Sequence, residues 1–219
     1  MAACRRCLTC CRAGGPALHG ADLDLLRRGV LAPTDLVCLR AGEPVHDQPR
    51  GGVFPLAAEI VKIRPRDGGS ACSLLDEDAC GCSIYADRPA ECRALSCADT
   101  ALLAAMYERD RLTRADLLPA GHALLELITE HERRCPAGRL DALARTFAHS
   151  RAADDELATM LRYDRELRLL FAERGLDPRL ADALLGRSLD RVLAPMGVGA
   201  LFAPDGRLRL RRTTQEPTR

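Results

Sequence analysis

An α+β fold, in which a small cysteine-rich module of short strands precedes a mainly helical region, is what this sequence predicts. Three observations carry that expectation. Ten of the eleven cysteines fall within the first 97 residues. The same stretch holds short apolar runs such as Ile60-Val61-Lys62-Ile63, bounded by Pro, Gly and Asp, which read as strands. Beyond Cys97 the apolar residues recur every three to four positions, the period of an α-helix packed on one side. The expected divisions are a cysteine module over 1–98, a helical region with a terminal hairpin over 99–211, and a polar, disordered tail over 212–219.

Residues 1–15 read as a cysteine loop closing on Gly14 and Gly15. A short helix follows, with Asp22 as its cap and Leu23, Leu25 and Leu26 apolar, ending near Gly29. From Ala32 to Pro55 the chain reads as loop, punctuated by Pro33, Pro44, Pro49, Gly51 and Gly52. Ile60, Val61 and Ile63 form a strand before the turn Asp67-Gly68-Gly69. Cys72 to Asp76 and Cys82 to Tyr85 read as two more strands, joined by an acidic turn that includes Glu77 and Asp78. Pro89 suits the first turn of a helix carrying Cys92, with Asp87 as its cap.

Helices are then expected over Asp99–Leu118 and Ala120–Arg134. One long or two shorter helices span 139–174, where Leu157, Met160, Leu161, Leu167 and Phe171 share a face. Asp177-Pro178 opens a last helix reaching about Leu193. A hairpin turns at Pro204-Asp205-Gly206, between Leu201 and Leu210.

A formal net charge of +1 supplies no global field toward nucleic acid or anionic lipid, so neither is expected as a partner. Arg207, Arg209, Arg211 and Arg212 read as a solvated strand face. No stretch reaches the length of a membrane span, and residues 1–11 lack the apolar core of an export signal. A cytoplasmic, reducing location is therefore expected, in which grouped thiols bind metal more often than they pair as disulfides. There is no nucleophile elbow, phosphate loop or dinucleotide fingerprint. Aromatics make up only 3% and tryptophan is absent, so the module needs stabilisation beyond ring burial. A structural metal contributes on the order of 10 kcal/mol to folding, as much as the whole stability of a typical domain.

The cysteines supply the chemistry. Cys4, Cys7, Cys10 and Cys11 are spaced C-x2-C-x2-C-C and are answered by Cys72, Cys80, Cys82, Cys92 and Cys97. Soft metals take several thiolates around one point. Successive x2 spacing matches the loops that hold iron–sulfur cubanes, whereas zinc sites more often use C-x2-C twice. The spacing leans toward iron–sulfur and leaves zinc open. In an extended segment the adjacent Cys10 and Cys11 would face opposite ways, so they serve two metal positions, or one of them serves otherwise. Cys4, Cys7, Cys10 and Cys11 with Cys72, Cys82, Cys92 and Cys97 would fill two four-coordinate sites, or one cluster with thiols to spare. Cys38, alone in Leu36-Val37-Cys38-Leu39, reads as a small buried hydrophobe, Cys135 as free or structural, and Cys80 as ambiguous. The five histidines share no ligand spacing, and His19 and His46 are minor candidates as further ligands.

Cys4-Arg5-Arg6-Cys7-Leu8-Thr9-Cys10-Cys11, followed by Cys82-Ser83-Ile84-Tyr85-Ala86-Asp87-Arg88-Pro89-Ala90-Glu91-Cys92-Arg93, resembles the YkgJ-type cysteine-cluster family over roughly residues 4–97. That family, described as zinc- or iron-chelating, pairs an opening CxxCxxCC with a later C-x-I-Y-x-x-R-P-x-x-C-R, and Cys72 and Cys97 look like its flanking cysteines. The resemblance implies a metal-binding protein holding zinc or an iron–sulfur cluster, such as 4Fe-4S. Tyr85, Arg88 and Arg93 are the candidates for packing around the ligands, Arg88 by donating to sulfur or a loop carbonyl, or by pairing with Asp87 or Glu91. A flagellin lysine N-methylase carries a similar cysteine domain, so a protein-modifying, iron–sulfur-dependent enzyme is one alternative. A redox or metal sensor is another. The helical region lies outside the resemblance and is expected to cover the module or meet a protein partner. Leu8-Thr9 stands where many members have glycine, and Cys38 and Cys80 are additional to the pattern.

Overall fold

The computed structural model of the chain describes residues 6–47 and 50–213. Its elements are, in order, α1 (Thr9–Ala13), α2 (Leu23–Arg27), β1 (Leu36–Leu39), β2 (Pro44–Asp47), β3 (Gly52–Pro55), β4 (Ile60–Ile63), β5 (Leu75–Asp76) and β6 (Gly81–Cys82). The helices α3 (Ala90–Ala94), α4 (Ala101–Met106), α5 (Ala123–Arg134), α6 (Leu140–Thr146), α7 (Arg151–Glu173), α8 (Pro178–Leu184) and α9 (Leu189–Leu193) follow. The hairpin β7 (Val198–Phe202) and β8 (Leu208–Arg212) comes last. This is an α+β fold of short two-stranded sheets and helices. Residues sort into two units: Met1–Cys38 with Ile60–Pro119, and Leu39–Glu59 with Ala120–Arg219. No helix of the described residues is long and apolar enough to cross a membrane. The tail expected to be disordered from 212 falls, from 214 onward, outside the described residues.

In the first unit, β4 is the spine. It pairs with β1, so the run Leu36-Val37-Cys38 is a buried strand where the proline and glycine content reads as loop. Proline punctuates the segment without entering β1, and the apolar run alone carried the strand signal. Leu18 N–H donates to Val61 O (2.9 Å), Val61 N–H to Leu112 O (3.2 Å) and Leu112 N–H to Leu18 O (2.8 Å), so three distant segments share one small ladder. Gly15 is required beside it: a Cβ there would lie 2.3 Å from the Ile63 carbonyl oxygen. The same ladder explains why the helix expected over Asp99–Leu118 stops at Met106. Leu112 is taken by strand-like pairing, and Asp110 turns the chain at a φ of 52°. The strands expected around Cys72 and Cys82 shrink to the two-residue β5 and β6, with Leu75 opposite Cys82.

In the second unit, α7 is the central helix. Leu157, Met160, Leu161, Leu167 and Phe171 are all buried along one face, as their spacing requires. Leu157, Met160 and Leu161 pack with Leu140, Leu143, Phe147, Leu189, Val192, Leu193 and Val198, and β7–β8 closes over them with Phe202, Leu208 and Leu210. The stretch 139–174 resolves into α6 and α7, broken where Ala148 takes a φ of 64° and the Ser150 hydroxyl caps Ala153. The single helix expected from Asp177 to Leu193 divides into α8 and α9 around Gly186, which has a φ of 81°. The hairpin β2–β3 belongs to this unit. Gly42 sits at a φ of 79°, where a Cβ would meet Gly138 Cα at 2.6 Å, so two backbones cross at contact. Leu157 is fully buried against this core. Leu157→Ala is expected to cost about 3 kcal/mol of unfolding free energy, read from the urea midpoint at unchanged slope.

Charge is also buried here. Arg40 is fully enclosed, with Nη1 donating to the Cys135 carbonyl (2.8 Å), and Glu43 accepts the Arg40 N–H (3.0 Å) and pairs with Arg187. Asp164 accepts from His131 Nε2 (2.9 Å), Arg168 Nε (3.1 Å) and the Leu189 N–H (3.1 Å). Asp164 thus sits on the apolar face of α7 without exposing an unmet carboxylate.

Candidate metal centre

The opening motif is helical where it meets the rest of the unit. Leu8, buried and at a φ of 64°, turns the chain into α1, and Arg12 N–H closes on Leu8 O (2.9 Å). The helix resolves the difficulty of adjacent cysteines, since successive residues differ by about 100° rather than 180°. Cys10 Sγ and Cys11 Sγ accordingly stand 3.9 Å apart.

A backbone bond from Cys72 N–H to Cys11 O (2.7 Å) ties the first motif to the second segment, and Ser70 Oγ donates to Arg12 O (3.1 Å) beside it. Cys82 enters on β6 and Cys92 on α3.

Electrostatics shows how near these thiols lie. Cys11 is pushed up to about 12, first by burial, then by Cys10, Cys72 and Cys82. Burial also raises Cys92 above the usual thiol range, helped by Cys72, Cys11, Cys82 and Cys10. Cys72 is raised by burial and by Cys82, opposed by the Leu74 backbone, Lys62 and Arg66. Cys11, Cys72 and Cys92 are thus each raised with neighbouring thiols contributing. Cys7 is different: it is exposed, and Thr9 is the main influence holding it below the usual range, with its hydroxyl 3.5 Å from the sulfur. Cys97 adds a weaker hydrogen bond to Cys7, so these two neighbour each other.

All ten described cysteines are free thiols, and Cys4 lies outside the described residues. Among the described residues no three sulfur, imidazole or carboxylate groups already stand in ligand geometry around one point. The donor chemistry nonetheless fits a soft cation. Thiols that resist ionisation first because they are buried, and then because they would repel as thiolates, are the groups a metal ion deprotonates and holds. An all-sulfur set suits zinc and iron–sulfur clusters alike.

Cys38 is buried in β1 and Cys135 in the second unit, where burial pushes its thiol up to about 12. Cys80 is exposed in a turn at a φ of 47°, its thiol donating to Glu77 O (3.5 Å). Both ring nitrogens of His19 are engaged, Nδ1 with Arg109 O (2.7 Å) and Nε2 with Glu91 Oε1 (3.2 Å), and His46 lies on β2 of the second unit.

Tyr85, Arg88 and Arg93 form one chain of contacts. The Arg88 guanidinium lies 4.4 Å from the Tyr85 ring centroid and its Nη1 donates to Tyr85 O (3.1 Å). Arg93 Nη1 donates to Arg88 O (2.6 Å). Of the roles open to Arg88, donation to a loop carbonyl is the one seen. Asp87 pairs instead with Arg28 (2.8 Å), and does not cap α3.

Arg6, which sequence reasoning passed over, also lies 4.4 Å from the Tyr85 centroid and so joins the opening motif to the later one. Its position between Cys4 and Cys7 was the available signal, lost in a chain rich in arginine. Asp22 and Glu91 were missed as well, because their partners are remote in sequence. No curated protein and no solved structure gives a significant match to the chain. Residues 3–109 match the family model CxxCxxCC, described as "Putative zinc- or iron-chelating domain".

Proposed function

We propose that the first unit binds zinc or an iron–sulfur cluster through cysteine thiolates, with Cys11, Cys72, Cys82 and Cys92 as the principal ligand set. The observation that carries this reading is the bond from Cys72 N–H to Cys11 O (2.7 Å), which joins the two ends of the cysteine-rich stretch, with the Cys11 and Cys92 thiols raised beside their neighbours. Cys10 stands at the rim of that set. Cys7 and Cys97, together with Cys4, supply thiols for a second position or for exchange. When bound, the metal would fix elements too short to be stable alone, the two-residue strands β5 and β6 and the five-residue α3.

The protein's own groups supply the countercharge. Four thiolates on a divalent ion leave a net charge of about −2, which nearby cations stabilise. Lys62 and Arg66 already favour ionisation of Cys72. Arg6, Arg88 and Arg93 hold the loops around Tyr85, and their role in shaping the site is part of the proposal.

Protein purified without oxygen decides between the metals. Expected are one or two zinc ions per chain in a colourless solution, or about four irons with acid-labile sulfide in a brown one. Protein that carries neither, and takes up neither on reconstitution, removes the proposal.

A sensor role is the second reading, favoured by the exposure of Cys7 beside Cys97. Thiol labelling with and without oxidant tests it. Labelling of Cys7 that is blocked equally in both states assigns the thiols to structure instead.

A further inference from the structure

The helix that carries Cys92 is held from outside itself. At five residues, α3 is far below the length at which a helix stands alone in water. Asp22 is fully buried, and its carboxylate bridges two backbone amides: Oδ1 accepts from Ala90, the first residue of α3 (2.9 Å), and Oδ2 accepts from His19 (3.0 Å). From within α3, the carboxylate of Glu91 reaches back to the same segment. Its Oε2 accepts the Ala17 N–H (2.8 Å), while Oε1 lies 3.2 Å from His19 Nε2. His19 is itself pinned, with Nδ1 2.7 Å from Arg109 O and only 3% of the residue exposed. Two carboxylates thus clasp α3 to residues 17–22 at consecutive positions, immediately before Cys92.

That segment is rigid where it receives them. Ala17 bridges Lys62 and Leu18 bonds to Val61, so the clasp connects α3 to β4. Cys72 follows nine residues after the end of β4 and bridges back to Pro65. The position of α3, and with it of Cys92, relative to β4 is therefore set by bonds that touch no cysteine.

We infer that Asp22, acting with the His19–Glu91 pair, is the positioning device for Cys92, holding α3 in the rotation that brings its sulfur to the thiols of Cys11, Cys72 and Cys82. The inference rests on the metal-binding reading above. Carboxylates of this kind orient ligands without touching metal, and their loss typically weakens binding by about 10- to 100-fold.

The test titrates zinc against a chelator and records the thiolate charge-transfer spectrum of the cobalt-substituted protein. Asp22→Asn turns one acceptor of the bridge into a donor facing an N–H, and Glu91→Gln does the same to the clasp. Each is expected to lower zinc affinity about 10- to 100-fold and to alter the cobalt spectrum. Asp24→Asn, on the exposed face of α2, is expected to change neither. Wild-type affinity and spectrum in both variants overturns the inference. Where Asp22→Asn does not fold, Glu91→Gln decides. If both lose the same stability with zinc as without it, the residues serve the fold alone, which also overturns the inference. A wild-type protein that binds neither zinc nor cobalt, and carries and takes up no iron–sulfur cluster, overturns the metal-binding reading along with it, whereas wild-type binding with indifferent variants overturns this inference alone.

Discussion

Replacing Cys92 by serine is expected to abolish stable metal binding and to remove the metal-dependent part of the first unit's stability. Serine keeps the size of the side chain but offers a hydroxyl that does not ionise near neutral pH, so a soft cation loses one ligand of four. Because the folding of small metal-bound modules is linked to the ion, with binding worth on the order of 10 kcal/mol, losing a ligand removes a large fraction of that coupling. The same outcome is expected for Cys11→Ser and Cys72→Ser, and a smaller one for Cys80→Ser, whose thiol donates to a carbonyl in an exposed turn. Thermal melts with and without chelator measure the effect. Wild type should lose its upper transition on chelation, and Cys92→Ser should melt alike in both conditions. A Cys92→Ser protein that keeps the wild-type metal content would exclude Cys92 from the ligand set.

Asp164→Ala is expected to destabilise the second unit by about 3–5 kcal/mol, the range seen when one partner of a buried ion pair is removed. The carboxylate accepts from His131, Arg168 and the first amide of α9, so its loss takes the acceptor from the buried His131 ring and Leu189 amide and one of three partners from the half-buried Arg168. The pair also sets the acid limit of this unit. Burial is the largest influence on Asp164 and pushes it upward, but the hydrogen bonds from His131 and Arg168 and the Arg168 charge outweigh it, leaving the group at about 2. Burial likewise dominates at His131 and holds it below its ordinary 6.5, aided by the Arg40 charge and only partly offset by Asp164. A neutral imidazole therefore donates to an ionised carboxylate, with Arg168 as the countercharge. Both groups are depressed in the folded state, so the unfolded chain takes up protons first as pH falls. Stability is full above about pH 6.5, begins to fall below it through His131, and falls again between about pH 4 and 2 through Asp164. Urea midpoints at pH 7, 5 and 3 read this out, and the final step should be absent in Asp164→Ala.

Legibility in the sequence followed the length of the interaction. The face of α7 was readable because Leu157, Met160, Leu161, Leu167 and Phe171 repeat with the helix itself. The terminal hairpin was readable because Gly206 stands where the turn needs a φ of 80°. The thiol candidates were legible from residue type and spacing, but which sulfurs neighbour one another was not. Cys11 is joined to Cys72 by a backbone bond across 61 positions, and no local pattern announces it. Strand β1 was obscured by the prolines around it, and the helix expected through Leu112 gave way to pairing with Leu18. Asp22 reads locally as a cap for the helix that follows it, while its carboxylate serves the first residue of a helix 68 positions away.

The alternation of the chain between units bears on how the protein is made. Leu18 waits for Leu112 before its carbonyl is satisfied, and Arg40 waits for Cys135, so neither unit can close from a contiguous stretch as it leaves the ribosome. At bacterial-to-eukaryotic elongation rates of about 5–20 residues per second, that interval lasts roughly 5–20 seconds. Through it the nascent cysteines are open to oxidation, to premature capture of stray ions and to chaperones, until the segment that carries Leu112 arrives to close the first unit.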